Sequence, residues 1–295
     1  MNGILLIDKP AGITSHTVVS RLRKKLGTKK IGHAGTLDPS ATGLLVICVG
    51  YATKVSAYLM ESSKAYQTRF CLGKTTSTYD LDGEVLQEKD ASGIQKIDVE
   101  NALKKFCGKI YQKPPIYSAI KINGKKLYQY ARSNTEIEIP ERLVTIHALT
   151  LQEFSNPVGI VEMKCSKGTY VRSLIHDLGE SLRVGACVEI IRRTESSPFS
   201  ISNAISLPDL LEMDIGEIQK KMISVRSALS KHFQLIEVTQ DEEILIRNGV
   251  EYDKSNFHLS CADDTMFLFV AKQGLKEVAI AKWGTEKKMK FLRIL

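Results

Sequence analysis

The sequence predicts an α+β fold, a mixed and mostly antiparallel sheet flanked by helices, with a small β-rich domain at the C-terminus. Three observations predict it. Strand-like and helix-like runs alternate irregularly without a repeated βαβ unit, which argues against a doubly wound parallel sheet. Asn123-Gly124 stands between β-like residues, a strong short-range hairpin signal. After Phe233 the chain returns to short apolar runs, FQLIEV, TMFLFVA, EVAIAKW and MKFLRIL, which read as strands of a separate small domain. The 295 residues suit about two domains, here divided as 1–230 and 231–295. No internal repeat stands out.

The elements follow in order. GILLID at 3–8 reads as a strand ended by Lys9-Pro10, and Ser15 then reads as the N-cap of a helix. Val18, Val19, Leu22 and Leu26 recur there at helical spacing before Gly27. A glycine-rich loop and the buried-type strand LLVICV come next. AYQTRFCLG, the polar TTSTYDLDG and EVLQE read as strand, turn and strand, and Asp98 is expected to cap the helix VENALKKFC before Gly108. Strands near 142–154 and 158–166 lead to a helix carrying Leu174, Ile175, Leu178 and Leu182, and an acidic helical stretch opens at Leu207-Pro208-Asp209.

Composition removes several classes. Hydrophobic residues at 43% and charged residues at 25% are globular values, so a long disordered chain is excluded. The longest apolar runs fall far short of the ~20 residues that span a bilayer, and the N-terminus lacks the order of a secretory signal. A cytoplasmic location without membrane contact is expected. Six scattered cysteines without a C-x-x-C pair read as buried free thiols in a reducing compartment. His258 and Cys261 have ligand-like spacing but no second pair, so no metal is expected.

The formal net charge of +8 is unevenly placed. Residues 1–60 carry eight Lys or Arg and two acids, Asp8 and Asp38, whereas residues 205–264 carry six basic and twelve acidic residues. The basic run RLRKK at 21–25 with TKK at 28–30 is either a solvated helix face or a surface for a polyanion.

The loop GHAGTLDPSATG at 32–43 sets His33, Thr36, Asp38, Ser40 and Thr42 among three glycines, between a basic helix and a buried strand. It is not a phosphate-binding P-loop, because no Gly-Lys-Ser/Thr closes it and a strand follows. Asp38 before Pro39 could cap a helix, but no long helix follows. As the only acid between Asp8 and Glu61 it is expected to stay ionised among cations, and an ionised carboxylate can act as a nucleophile or steady a developing cation.

GHAGTLDPSATGLL resembles the signature of the TruB-type tRNA pseudouridine synthases. DKPAGITS from Asp8, KAYQTRFCLGKTTSTYDLDG from Lys64, KPPIYSAIKINGKKLYQYAR from Lys113 and CSKGTYVRSLIHDLGE from Cys165 agree in the same order. Together they cover about two thirds of the chain. The resemblance implies the pseudouridine synthase fold and isomerisation of the uridine at position 55 in the tRNA TΨC loop. It implies a tRNA partner met at the T-arm and elbow; neither metal nor cofactor is required, no protein partner is implied, and nothing in the sequence demands more than a monomer. The chemistry agrees: the N1–C1′ bond must break, the base turn, and C5 rejoin C1′, through electron deficiency at C1′ like that in glycoside hydrolysis.

By the same resemblance Asp38 is the catalytic residue, with its route at sugar or ring left open. Tyr66 stacks on the target base, Arg172 pairs with Asp38, Tyr170 lines the pocket, His33 fills the space left by an extruded nucleotide, and Lys9 with Pro10 shapes the pocket floor. Ile191 stands where the family pattern usually has leucine against the uracil, a volume-conserving change. Without the motifs, Tyr66 would read as core and Arg172 as a surface charge. DLDG at 80–83 reads as a turn rather than a metal loop, and KPPIYS as a rigid support with Tyr117. The C-terminal strands resemble a PUA-type RNA-binding domain. Two other classes compete: a tRNA-binding folding helper, which leaves Asp38 unexplained, and a glycosidase, which needs a second carboxylate absent from the same loop.

Overall fold

The computed structural model describes residues 1–133, 135–248, 262–274, 276–284 and 289–295. His258 and Cys261 lie outside them.

The N-terminal half of the main sheet is built first. Strand β1 (Gly3–Lys9) alternates Ile4 and Leu6 to one apolar cluster and Leu5 and Ile7 to another, so it is buried on both faces. Helix α1 (Ser15–Leu26) buries Val18, Val19 and Leu22, each contributing roughly 1.5–3 kcal/mol by leaving water. It ends at Gly27, whose φ of 61° is the left-handed C-cap that glycine adopts freely. The N-cap is Thr14, whose side chain accepts from Thr17 N, and not Ser15. Ser15 is instead buried and bonds the Leu37 backbone both ways, at 2.9 and 3.1 Å. Strands β2 (Ile31–His33) and β3 (Thr42–Val49) flank the glycine-rich loop, and a short 3₁₀ helix (Gly50–Val55) leads to α2 (Ser56–Met60).

The middle of the chain adds β4 (Lys64–Leu72), the small pair β5 (Lys74–Thr76) and β6 (Val85–Glu88), α3 (Lys96–Lys104) and β7 (Gly108–Gln112). Asp98 is the third residue of α3 and not its cap: its carboxylate reaches back to Gln95 N at 2.8 Å, one half of a capping box. The Asn-Gly hairpin forms as β8 (Lys121–Ile122) and β9 (Lys125–Lys126), with Asn123 and Gly124 at φ 50° and 77°, followed by α4 (Leu127–Arg132). Strands β10 (Arg142–Ser155) and β11 (Val158–Cys165) form a long hairpin, and α5 (Val171–Ser181), β12 (Ala186–Ser196), β13 (Phe199–Ser200) and β14 (Ile205–Ser206) complete the sheet.

The main sheet runs β14-β1-β3-β12-β4-β11-β10-β7, with β2 on β3 and β13 on β12. Only β1–β14 and β3–β12 are parallel. A large apolar cluster joins Leu5, Ile7 and Val161 of the sheet to α1, α3 and α5. The acidic stretch folds as α6 (Leu207–Glu212), α7 (Ile215–Lys220) and α8 (Val225–Leu229).

The C-terminal unit is a sheet of β15 (Gln234–Val238), β16 (Met266–Ala271), β17 (Glu277–Trp283) and β18 (Met289–Ile294), with α9 (Gln240–Arg247) against it. Leu268, Val270 and Ile280 share an apolar cluster with Ile4, Leu44 and Val46 of the main sheet and with α8. Buried Glu277 reinforces that contact, accepting from Tyr51 Oη at 2.6 Å and Arg226 N at 2.8 Å. Burial and this hydrogen bond both push the Tyr51 phenol up. Of the described cysteines, Cys48, Cys165 and Cys187 are buried, Cys71 is half-buried, and Cys107, just beyond α3, is exposed rather than buried.

Candidate active site

The loop between β2 and β3 contains no helix, so Asp38 caps nothing; Ala41 N simply returns to Asp38 O at 3.2 Å. The loop is held from three sides. Ser15 fixes Leu37, and the Lys9 ammonium, fully buried, donates to Pro39 O at 3.2 Å and to Pro10 O and Ile13 O at 2.9 and 2.8 Å. Burial, the largest cause, lowers the Lys9 pKa to about 8, against the attraction of Asp38. From below, the buried Arg193 donates to Gly35 O and Thr36 O at 3.2 Å and to Leu44 O at 2.7 Å. Gly43, at φ 101°, permits this: a Cβ there would lie 2.3 Å from Arg193 O.

Arg172 enters from the first turn of α5 and is almost fully buried, so it is not the surface charge that its place in a helix usually implies. Its Nη2 lies 2.9 Å from Asp38 Oδ2, and Nη1 lies 3.6 Å from Asp80 Oδ2. The same guanidinium donates to Thr78 O at 2.9 Å and Tyr117 O at 3.0 Å. It thereby binds the Asp38 loop, the 77–83 turn and the 113–119 segment at one point. Asp80 belongs to a turn, as DLDG suggests, but burial, the largest cause, raises its pKa while Thr78 and Arg172 oppose that.

Asp38 opens into a cavity of about 410 Å³ whose lining includes Tyr66, Tyr170, Ile191, Lys64 and Arg193. Tyr66 lies on β4 directly opposite Arg193 of β12 in the antiparallel register, so their side chains share one face. Burial pushes the Tyr66 phenol up, while the adjacent Arg193 charge pulls it down. Tyr170 is placed by Gln112, which pairs with both its backbone groups at 2.8 and 3.0 Å. Burial raises the Tyr170 pKa as well. Lys64 is buried and donates to Met60 O and Ser62 O, each at 2.5 Å. Burial lowers its pKa to about 8, with Arg193 adding to the effect.

Asp38, Tyr66, Tyr170, Arg172 and Ile191, all singled out in the sequence, therefore meet at one place. Lys9 stands behind the loop, and neither it nor His33 lines the cavity; burial lowers the His33 pKa, and among the described residues its Nδ1 has no hydrogen-bond partner. Sequence reading missed Arg193, Lys64, Asp80, Ser15 and Gln112. A signal existed for two of them: Lys64 and Arg193 sit two residues from Tyr66 and Ile191, the strand spacing that returns a side chain to the same face. Chemically, the cavity offers two carboxylates: Asp38, held by Arg172 beside an aromatic ring and buried cations, and the exposed Glu61, which is ion-paired with Lys167. Among the described residues no group of three or more His, Cys, Asp or Glu could hold a metal ion.

Residues 23–171 match the family model described as TruB family pseudouridylate synthase, N-terminal domain, and residues 172–234 match that of the tRNA pseudouridylate synthase B C-terminal domain. The chain is 44% identical over 252 residues to tRNA pseudouridine synthase B of Clostridium perfringens (strain SM101), covering 85% of this chain and 84% of that one. It is 47% identical over 241 residues to tRNA pseudouridine synthase B of Alkaliphilus oremlandii, covering 78% and 80%. For the protein of that name from Shouchella clausii the identity is 41% over 278 residues, covering 92% and 90%. The fold is similar to a chain in the crystal structure of a Cbf5-Nop10-Gar1 complex, with a TM-score of 0.77 and 23% identity over 99% of this chain and 84% of that chain. A chain of the archaeal box H/ACA sRNP Nop10-Cbf5 complex gives 0.73 and 22%, over 99% and 85%.

Proposed function

The chain belongs to the TruB family of pseudouridylate synthases, and on that premise we propose that Asp38 drives the isomerisation, acting on uridine 55 in the T-arm of tRNA. The observation that carries the residue assignment is the pairing of Arg172 Nη2 with Asp38 Oδ2 at 2.9 Å at the edge of a cavity large enough for a nucleotide base. Arg172 holds the carboxylate in place. The target nucleotide leaves the stacked loop, because C1′ and C5 are poorly reached within it, and its base lies against Tyr66 between Tyr170 and Ile191. The ionised Asp38 then meets the electron deficiency at C1′ or takes a neighbouring proton, the base turns in the cavity, and C5 rejoins C1′. The uracil is both leaving group and attacking group, so the second carboxylate that a glycosidase needs is dispensable. Asp80 supplies none, since it pairs with Arg172 and does not line the cavity, and Glu61, which does line it, is ion-paired with Lys167.

The C-terminal four-stranded sheet, from about residue 231, serves as an additional RNA-binding unit on a monomeric cytoplasmic enzyme. Exposed Arg21, Lys24, Lys29 and Lys30 meet the tRNA backbone. Arg23 and Lys25 of the same basic run do not, being spent on Ile31 O and Leu211 O. Release of tritium from tRNA labelled at uridine C5, read with a transcript in which uridine 55 is replaced by cytidine, tests the reading. Release that persists in the replaced transcript would refute the site, and no release from either would refute the activity.

A further inference from the structure

Two of the cations that line the Asp38 cavity have no role in the steps above. Arg193 and Lys64 are 2% and 6% exposed, and among the described residues neither forms an ion pair with a carboxylate. Their hydrogen bonds go to neutral groups: the Gly35, Thr36 and Leu44 carbonyls and the Tyr66 hydroxyl for Arg193, the Met60 and Ser62 carbonyls and the Ser62 hydroxyl for Lys64. The nearest acids are committed elsewhere, Asp38 to Arg172 and Glu61 to Lys167. Desolvated charges are normally paired, but the cavity lining sets three cations, Lys64, Lys167 and Arg193, against two acids, Asp38 and Glu61, which leaves it with positive potential. Both flank Tyr66: Arg193 is its cross-strand partner and Lys64 is two residues before it on the same strand face.

We propose that Arg193 and Lys64 form an electropositive wall that stabilises the uracil anion set free when the glycosidic bond breaks. The inference rests on the pseudouridine synthase reading and assigns it a further part. When N1–C1′ breaks, the electron pair leaves with N1, and the negative charge spreads over O2 and O4 of the base. The deficiency at C1′ is met by a new bond to the Asp38 carboxylate or by loss of a sugar proton to it. The anion later uses its own electrons to form C5–C1′, Asp38 is released or returns the proton, and the C5 proton moves to N1, so the product is an isomer and no co-reactant is needed. Fixed cations held in a dry site, in place before the charge appears, are the arrangement that lowers such a barrier most. Burial is the main cause of the lowered Lys64 pKa, and the neighbouring Arg193 charge adds to it.

A leaving-group comparison tests this. Single-turnover loss of the N-glycosidic nucleoside is measured with tRNA carrying uridine and with tRNA carrying 5-fluorouridine, whose electron-poor base forms a more stable anion. For Arg193→Met the uridine rate should fall about 10²–10³-fold, the cost of removing one preorganised charge donor, and the 5-fluorouridine rate at least tenfold less. Lys64→Met should show the same selectivity. Arg193→Lys, which keeps the charge but not the fork, should slow both substrates equally. Circular dichroism and tRNA binding establish which variants fold, and if Arg193→Met does not, Lys64→Met carries the comparison. Equal losses on the two substrates in the folded methionine variants would overturn the proposal in favour of a purely structural role. Failure of the wild-type chain to convert either tRNA would overturn the proposed function itself.

Discussion

The Arg172 guanidinium bridges two carboxylates, 2.9 Å from Asp38 and 3.6 Å from Asp80, from a position that water scarcely reaches. The two acids are unequal: the Asp38 side chain is 40% exposed and Asp80 is 12% exposed. Asp38 therefore opens to the cavity, while Asp80 helps balance the charge of the arginine that holds it. Asp38→Asn should bind tRNA with unchanged affinity and lose at least about 10³-fold in tritium release, in line with loss of a nucleophile or electrostatic stabiliser. Arg172→Met should lose about 10²-fold, since displacing a reacting group by even 1 Å costs that much. Filter binding beside the release assay separates the two quantities.

Tyr66 offers a ring and a hydroxyl that can be removed separately. Tyr66→Phe keeps the stacking surface, so KM should stay within about twofold while kcat falls about 10²–10⁴-fold, the range for loss of a proton-transfer group. Tyr66→Leu should raise KM as well. An unchanged kcat in the phenylalanine variant would remove the hydroxyl from the mechanism.

Lys9 gives a pH signature. Its pKa is about 8 in the folded chain and 10.5 when unfolded, lowered chiefly by burial. Between those values the unfolded chain holds a proton that the folded chain has released, so the contribution of Lys9 to stability rises with pH from 8 to 10.5 and is flat below 8. Urea unfolding of wild type and Lys9→Met at pH 7.5 and 9.5 should show the difference moving in favour of wild type at the higher pH. A constant difference would mean that Lys9 titrates at its ordinary value.

At Gly43, β3 pairs with Arg193 of β12. A methyl group there meets Arg193 backbone atoms at 2.3, 2.7 and 3.0 Å, at a φ of 101° that side chains avoid. Gly43→Ala should lower stability by about 2–4 kcal/mol and reduce activity with it, read by thermal unfolding and tritium release. Gly12→Ala, at φ 83° but in open space, should cost less than half as much.

Exposed Lys29 and Lys30 predict a salt response. If each meets a phosphate, the logarithm of tRNA affinity falls steeply with the logarithm of salt, and the Lys29→Gln/Lys30→Gln double variant should reduce that slope by about 2. Lys25→Gln should leave the slope unchanged, because its ammonium already donates to Leu211 O at 2.6 Å. Fluorescence anisotropy across a salt series reads both.

Local patterns carried much of the fold. Helical spacing of Val18, Val19 and Leu22, the Asn123-Gly124 turn and the apolar C-terminal runs act over a few residues, and each element formed where its pattern lay. Caps slipped by a few positions: Thr14 and Ser15 carry the same hydroxyl, and only the nearby Leu37 backbone decides which of them turns inward. Arg192 and Arg193 show the same limit. They are adjacent, yet one pairs with Asp8 at 2.6 Å near the surface and the other is buried against three carbonyls. Strand alternation requires opposite faces, but not which arginine goes in.

By itself the sequence determined the class of fold, the family resemblance and five residues that meet at the cavity, because motif identity and short-range periodicity are properties of neighbouring residues. Tertiary structure alone decided that Arg172 is a buried bridge, that neither Lys9 nor His33 lines the cavity, and that Arg193 and Lys64 wall it with no ion-paired carboxylate among the described residues. Those facts depend on β12 lying between β3 and β4, strands separated from it by more than a hundred residues. Burial and charge balance are set by what packs from such distances, and no local spacing encodes them.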